Sequence, residues 1–276
     1  MHEVSTLTAG LRLGESPRWH EGDLWFADWM AGTIATSDQH GVVRRRLDVG
    51  SFPVSFDWLG DGSLVVVSGG TGLLLISDGE DGLVTFADLR GLSRHPWNEI
   101  AVHPSGNIYV NGIGYDFSGP PRPSGQIALV RPDGTAGSVA SGLAFPNGML
   151  ISPDGATLVV AESHASQLSS FDILDDGTLA NKRVWAQVPG SAPDGICWAG
   201  DGDIWFADVP NRRCVLVREG GDIVDSVQLP HGCFACVLGG PGLSTLFVMT
   251  ADWPSAMDPA SAPTGAIMIV DLGPLP

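Results

Sequence analysis

The sequence predicts an all-β protein, a six-bladed β-propeller with four antiparallel strands in each blade. Three observations predict it: a strand-like motif that recurs six times, turn chemistry between the β-rich runs, and a length that six blades fill. The motif segments are GDLWFAD (22–28), GSLVVVS (62–68), GNIYVNG (106–112), ATLVVAE (156–162), GDIWFAD (202–208) and STLFVMT (244–250). Anchored on Leu24, Leu64, Ile108, Leu158, Ile204 and Leu246, they lie 40, 44, 50, 46 and 42 residues apart. Helical solenoids have similar periods, but these runs carry no apolar stripe at helical spacing. β-branched and aromatic residues dominate them, and Pro132-Asp133-Gly134 and Pro153-Asp154-Gly155 supply tight turns.

Within each repeat the run before the anchor is the innermost strand, as in WNEIAVH (97–103) and NGMLIS (147–152). The anchor run is the second strand. A third follows a variable loop, as in GQIALVR (125–131), SQLSSFD (166–172) and RCVLVRE (213–219). The final run, GAIMIVDL (265–272), supplies the third strand of the sixth blade. EVSTLT (3–8), ahead of the first inner strand, is expected to complete that blade. Joining the N-terminal strand to the C-terminal blade closes the ring and removes an exposed sheet edge. On this reading residues 1–276 form a single domain.

Composition narrows the partners. Hydrophobic residues make up 43% of the chain, enough for a large core. The 14 Lys and Arg face 31 Asp and Glu, a net charge of −17, and form no basic stripe. Neutralising phosphates requires clustered cations, so nucleic acid and anionic membrane surfaces are excluded as partners. The balance suits a cation, a neutral small-molecule substrate, or solubility alone. The opening MHEVSTLTAG has neither the basic nor the apolar region of a secretory leader, and no run reaches the length of a membrane span. A cytoplasmic location is expected. Cys197, Cys214, Cys233 and Cys236 include one Cys-x-x-Cys, but no second pair complements it and CFACVL is apolar. They read as core residues.

Inner strands of a propeller converge, so residues that open them surround one end of the channel. At 9 to 11 positions before the anchors stand Glu15, Asn98, Asn147 and Asp194, from blades one, three, four and five. Blade two offers Phe52-Pro53-Val54-Ser55 instead, and blade six offers His231-Gly232 further from its anchor. Two carboxylates and two carboxamides are an oxygen set suited to a hard divalent cation. Calcium, magnesium or manganese fits, with calcium preferred; zinc is the fourth option. Pro-Asn-Gly and Pro-Asp-Gly are also ordinary turn tripeptides. Pro153-Asp154-Gly155 is one, since it joins two strands, whereas the tripeptides of Asn147 and Asp194 open an inner strand.

At these residues the sequence resembles the SMP-30/gluconolactonase/luciferin-regenerating-enzyme family, which includes regucalcin. The resemblance runs from about Leu11 to Val270, through GESPRW, WNEIAVHPSGNIYV, FPNGMLISPDGATLVVAES and APDGICWAGDGDIWFAD. It implies one divalent metal in the channel mouth, with Glu15, Asn147 and Asp194 as ligands and Asn98 as a substrate or metal contact. Sugar-lactonase members carry Arg two residues before that Asn and Asp immediately after it; here those places hold Pro96 and Glu99. The missing Arg argues against a simple sugar lactone. Arg94 is the nearest substitute in sequence. Phe52, Phe56, Trp97, Phe145 and Trp253 are the expected aromatic lining.

The chemistry expected of this set is metal-assisted hydrolysis of a lactone or related cyclic ester. Asp194 is expected to be the catalytic residue, touching the metal and accepting the proton of the attacking water. No Gly-x-Ser-x-Gly elbow is present, which argues against a serine hydrolase. Candidate substrate contacts are Asn98, Glu99 and Arg94, together with Tyr115 and Arg122 in the Gly/Pro-rich insertion 112–125 and His164 after the second strand of blade four. The alternatives are the same scaffold acting on phosphotriesters or in a non-hydrolytic biosynthetic step, and a non-catalytic calcium-binding propeller.

Overall fold

The computed structural model describes residues 2–79 and 82–273. The described strands form six four-stranded antiparallel sheets, and the fold is a six-bladed β-propeller. Blade one runs through Gly14–His20, Asp23–Asp28, Thr33–Ser37 and Val43–Asp48. The inner strands of blades two to six are Val54–Trp58, Ile100–Val102, Pro146–Ile151, Pro193–Trp198 and Gly232–Gly239. Val4–Leu11 pairs with Gly265–Asp271 and completes the sixth blade, as the sequence led one to expect.

The second strand of each blade is buried on both faces. All five residues of Leu64–Ser68, Ile108–Gly112 and Ile204–Asp208 are buried, which explains why the recurring motif is a continuous apolar run. Outer strands are wet, and Val43–Asp48 is almost wholly exposed. The inner strand of blade three is shorter than its sequence suggested, Ile100–Val102. Ahead of it the Trp97 amide donates to Gly69 O of the preceding blade at 3.2 Å, and the chain meets its own sheet irregularly, the Asn98 amide donating to Asn111 O at 2.7 Å and the Asn111 amide to Glu99 O at 3.0 Å.

By its contacts the chain divides into two compact units, Ser51–Pro189 with blades two to four, and the remainder with blades five, six and one. In the Ser51–Pro189 unit, one apolar cluster around Val65, Leu74, Trp97 and Val110 joins blades two and three. A second around Tyr109, Leu129, Leu158 and Phe171 joins blades three and four. In the other unit Trp205, Cys214, Cys236 and Val248 join blades five and six, and Phe26, Phe247 and Met249 join six and one. Burying each large apolar side chain contributes roughly 1.5–3 kcal/mol relative to leaving it in water. No helix among the described residues is long and apolar enough to cross a membrane.

Candidate functional site

A repeated irregularity sets up the residues that open the inner strands. Pairing with the second strand slips between Glu15 and Arg18 in blade one, between Pro146 and Met149 in blade four, and between Pro193 and Ile196 in blade five. Such bulges kink a strand and re-aim its side chains. Asn147 and Asp194 lie inside these slips and Glu15 borders its own, paired with Ala27; all three are buried.

The same three blades share a second device. The residue four beyond each anchor is acidic, and its carboxylate accepts backbone amides just ahead of the bulge. Asp28 accepts from Arg12 and Leu13, both at 3.0 Å. Glu162 accepts from Ala144 at 2.7 Å, and Asp208 from Ala192 at 3.1 Å. These carboxylates position the strand openings and are not themselves ligands in this reading. Glu162 also takes Ser169 Oγ at 2.5 Å and Lys182 Nζ at 2.7 Å. Burial pushes its pKa up, but the bonds from Lys182, Ser169 and Ala144 outweigh that and hold it below 4.5. Asp208 is bound by Arg213 Nε at 3.0 Å. Reading the sequence for inner-strand residues missed this role, although the recurring terminal acid of the motif was its signal.

In the Ser51–Pro189 unit the two carboxamides meet. Asn98 Nδ2 donates to Asn147 Oδ1 at 3.3 Å, and both residues are buried. Asn111, fully enclosed, holds the pair from below: its Nδ2 donates to Asn147 O at 2.6 Å and its backbone O accepts the Asn98 amide at 2.7 Å. Ser55 Oγ donates to Asn98 O at 2.7 Å. Glu99 is buried, and its carboxylate accepts the Ile100 amide at 2.9 Å. Asn111 and Ser55 were not among the residues singled out from the sequence.

In the other unit the inner strand of blade six packs against those of blades five and one, which carry Asp194 and Glu15. Glu15 Oε2 accepts the Ser16 amide at 3.2 Å. Gly195, next to Asp194, must be glycine: a Cβ there would sit 2.5 Å from the Ala235 Cβ of blade six. All four cysteines are free and buried in this unit, with Cys197 Sγ 3.9 Å from Cys236 Sγ. The bond with Cys197 lowers the Cys236 pKa, but the bond with Cys214, burial and the negative charge of Asp194 carry it well above the ordinary thiol value. The core reading of the Cys-x-x-Cys holds.

The remaining candidates divide. Tyr115 is buried, with its hydroxyl 3.3 Å from His164 Nδ1. His164 follows the second strand of blade four in a short 3-10 turn, Ser163–Ala165. Arg94 and Arg122 are both exposed. Of the expected aromatic lining, Phe52 is exposed and Phe145 half-buried, while Trp253 packs against Phe234 with centroids 5.6 Å apart and rings tilted by 31°. Phe56 and Trp97 do not fit that expectation. Both are sealed inside the protein, Trp97 in the core between blades two and three.

Among the described residues no three His, Cys, Asp or Glu side chains form a metal-holding group. The four residues that open the inner strands have another composition, two buried carboxylates and two buried carboxamides, all oxygen donors. Each unit thus supplies oxygen donors of the kind a hard divalent cation takes, Glu15 and Asp194 in one and the Asn98–Asn147 pair in the other.

The profile of the SMP-30/Gluconolactonase/LRE-like region matches residues 13–252. The chain is 25% identical over 258 residues to the 6-deoxy-6-sulfogluconolactonase of Pseudomonas putida, across 88% of each chain. It is 24% identical over 251 residues to a pentonolactonase of Haloferax volcanii, across 87% of this chain and 82% of the other. A luciferin-regenerating enzyme superposes with a TM-score of 0.83 at 18% identity, over 98% of this chain and 95% of the other, a likeness of fold. The chain belongs to the SMP-30/gluconolactonase/LRE-like family.

Proposed function

We propose that this chain is a lactone hydrolase that works with one divalent cation, for which Glu15, Asp194 and Asn147 are the ligands and Asn98 a ligand or substrate contact. One observation carries the reading. A buried oxygen-bearing side chain recurs where the inner strand opens in four blades, and in three of them the strand has a bulge at that point. The names of the Pseudomonas and Haloferax relatives support the lactone.

A bound cation would supply polarisation of the lactone carbonyl and acidification of water. The residues of the chain do the rest. The carboxamides of Asn98 and Asn147, held by Asn111 and Ser55, orient the carbonyl oxygen. Asp194 takes the proton of the attacking water as its oxygen bonds to the carbonyl carbon. When the ring C–O bond breaks, the departing alkoxide recovers that proton, leaving a hydroxy acid.

Pro96 stands, exposed, where sugar-lactonase members have Arg, so the proposed substrate is not a simple sugar lactone. Initial rates on a panel of γ- and δ-lactones, before and after chelation, test the proposal. Turnover that chelator abolishes is expected, as is a loss of at least about 100-fold in Glu15→Gln and Asp194→Asn, the scale of losing electrostatic catalysis at the reacting centre. Full activity in either variant removes the assignment. Stoichiometric metal without turnover of any lactone favours a calcium-binding role, and turnover of phosphotriesters alone favours that substrate class.

A further inference from the structure

Next to Asn147 lies an aromatic cluster that the hydrolytic chemistry does not use. Phe145 adopts φ of 62°, a left-handed conformation rare for a bulky side chain. Such strain persists only where the surroundings hold it in place, and it gathers at functional sites. Two backbone bonds hold it here: Ser163 N donates to Phe145 O at 3.0 Å and His164 N to Ala144 O at 3.1 Å. The result is a ring set among three others. Phe145 lies 4.5 Å from the His164 ring, 6.3 Å from Tyr115 and 6.0 Å from Phe117, centroid to centroid.

The cluster is apolar and partly open. Phe117 is 56% exposed and lies against the half-buried Phe145 ring. Loss of hydration lowers the His164 pKa and raises that of Tyr115, so both are uncharged near neutral pH. Phe145 stands two residues before Asn147, and Tyr115 and Phe117 come from the Gly/Pro-rich insertion that follows the second strand of blade three. At the opening of blade two, in the same unit, Phe52 is a further exposed aromatic residue. Two hydrogen-bonding groups of the cluster, the Tyr115 hydroxyl and His164 Nδ1, lie 3.3 Å from each other, and the Phe117 and Phe145 rings are hydrocarbon.

We propose that Phe117, Phe145 and the Tyr115–His164 pair form a subsite for a hydrocarbon substituent, so that the preferred substrates are lactones bearing an alkyl or aryl side chain. This rests on the lactone reading above and adds the class of substrate. Each methylene that reaches the cluster raises kcat/KM by up to roughly fourfold, the transfer value for a buried methylene. Polyhydroxylated lactones gain nothing there and keep their hydration.

The test compares γ-butyrolactone, γ-lactones of increasing alkyl length, a γ-phenyl lactone and glucono-δ-lactone on the wild type and on Phe117→Ala and Phe117→Leu. Phe117 is mostly exposed, so both variants should fold, which circular dichroism checks. The expected result is kcat/KM rising with chain length, a loss in Phe117→Ala at least about fivefold larger for octyl than for unsubstituted lactone, and recovery of most of it in Phe117→Leu. Preference for glucono-δ-lactone, or an equal loss on every substrate, overturns the proposal. If no lactone is hydrolysed, the reading above fails separately, and calorimetric titration of the octyl lactone decides on the subsite. Binding that Phe117→Ala weakens supports it; no binding, or equal binding by both proteins, overturns it.

Discussion

The Ala144 amide donates to Glu162 Oε2 at 2.7 Å, three residues ahead of Asn147. Through this bond the end of one strand fixes where the neighbouring strand begins, and Asp28 and Asp208 repeat the arrangement in blades one and five. Three of the four candidate ligands are therefore aimed by a buried carboxylate that is not a ligand itself. The acids of this chain thus sort into distinct tasks that net charge cannot separate.

Glu162→Gln is expected to lose the charge-assisted bonds from Lys182 and Ala144. Removing them costs about 1.5–3 kcal/mol, the range for bonds to a charged group. The pH dependence has a definite sign. The folded pKa lies below the ordinary 4.5, so the unfolded chain binds more protons in that range. The stabilisation is present above about pH 4.5 and fades as pH falls through the folded value. Urea midpoints between pH 3 and 7 should show a steeper acid loss in the wild type than in Glu162→Gln.

Asn111→Ala would leave Asn147 O without the bond that Asn111 Nδ2 supplies. A loss of about 1–3 kcal/mol in stability is expected, the cost of an unsatisfied buried carbonyl. Because Asn111 supports the Asn98–Asn147 pair without being a proposed ligand, the lactone rate should fall while affinity for the cation changes less. Thermal melts, kinetics and cation titration on one preparation check all three.

Gly195→Ala places a methyl group against Ala235 and should destabilise the fold by about 1–3 kcal/mol, the usual cost of overpacking. Relief requires moving the strand that carries Asp194. Lactone turnover is therefore expected to fall further than the shift in urea midpoint alone would account for.

The four thiols are buried, and the pKa values of Cys197, Cys214 and Cys236 are raised well above the ordinary range. Native protein should show no rapid reaction with a thiol-specific disulfide reagent at about pH 7.5, and all four should react once guanidinium unfolds it. Rapid labelling of the native state would contradict the packing described for blades five and six.

The fold was legible because strand repeats and turn tripeptides are local, one-dimensional signals. Register then singled out Glu15, Asn98, Asn147 and Asp194, since equivalent residues of successive blades occupy equivalent places. Pairings between distant segments were not legible. Tyr115 and His164 lie 49 residues apart, and only their folded loops bring them together. Phe56 and Trp97 misled for a related reason: an aromatic residue near a strand opening can face the mouth or the space between blades, and sequence does not distinguish the two. The left-handed turn at Phe145 runs against the residue's own preference, so no local rule predicts it.

The central claim is that hydrolysis of a lactone by this chain depends on a cation held through Asp194 and Glu15. It is tested most directly by the rate of lactone hydrolysis as calcium, magnesium or manganese is returned to chelator-treated protein. The account predicts a rate near zero without cation, saturable recovery with one equivalent bound, and no recovery in Asp194→Asn at the same concentrations. Full hydrolysis by the cation-free wild type, or full recovery in Asp194→Asn, would contradict it.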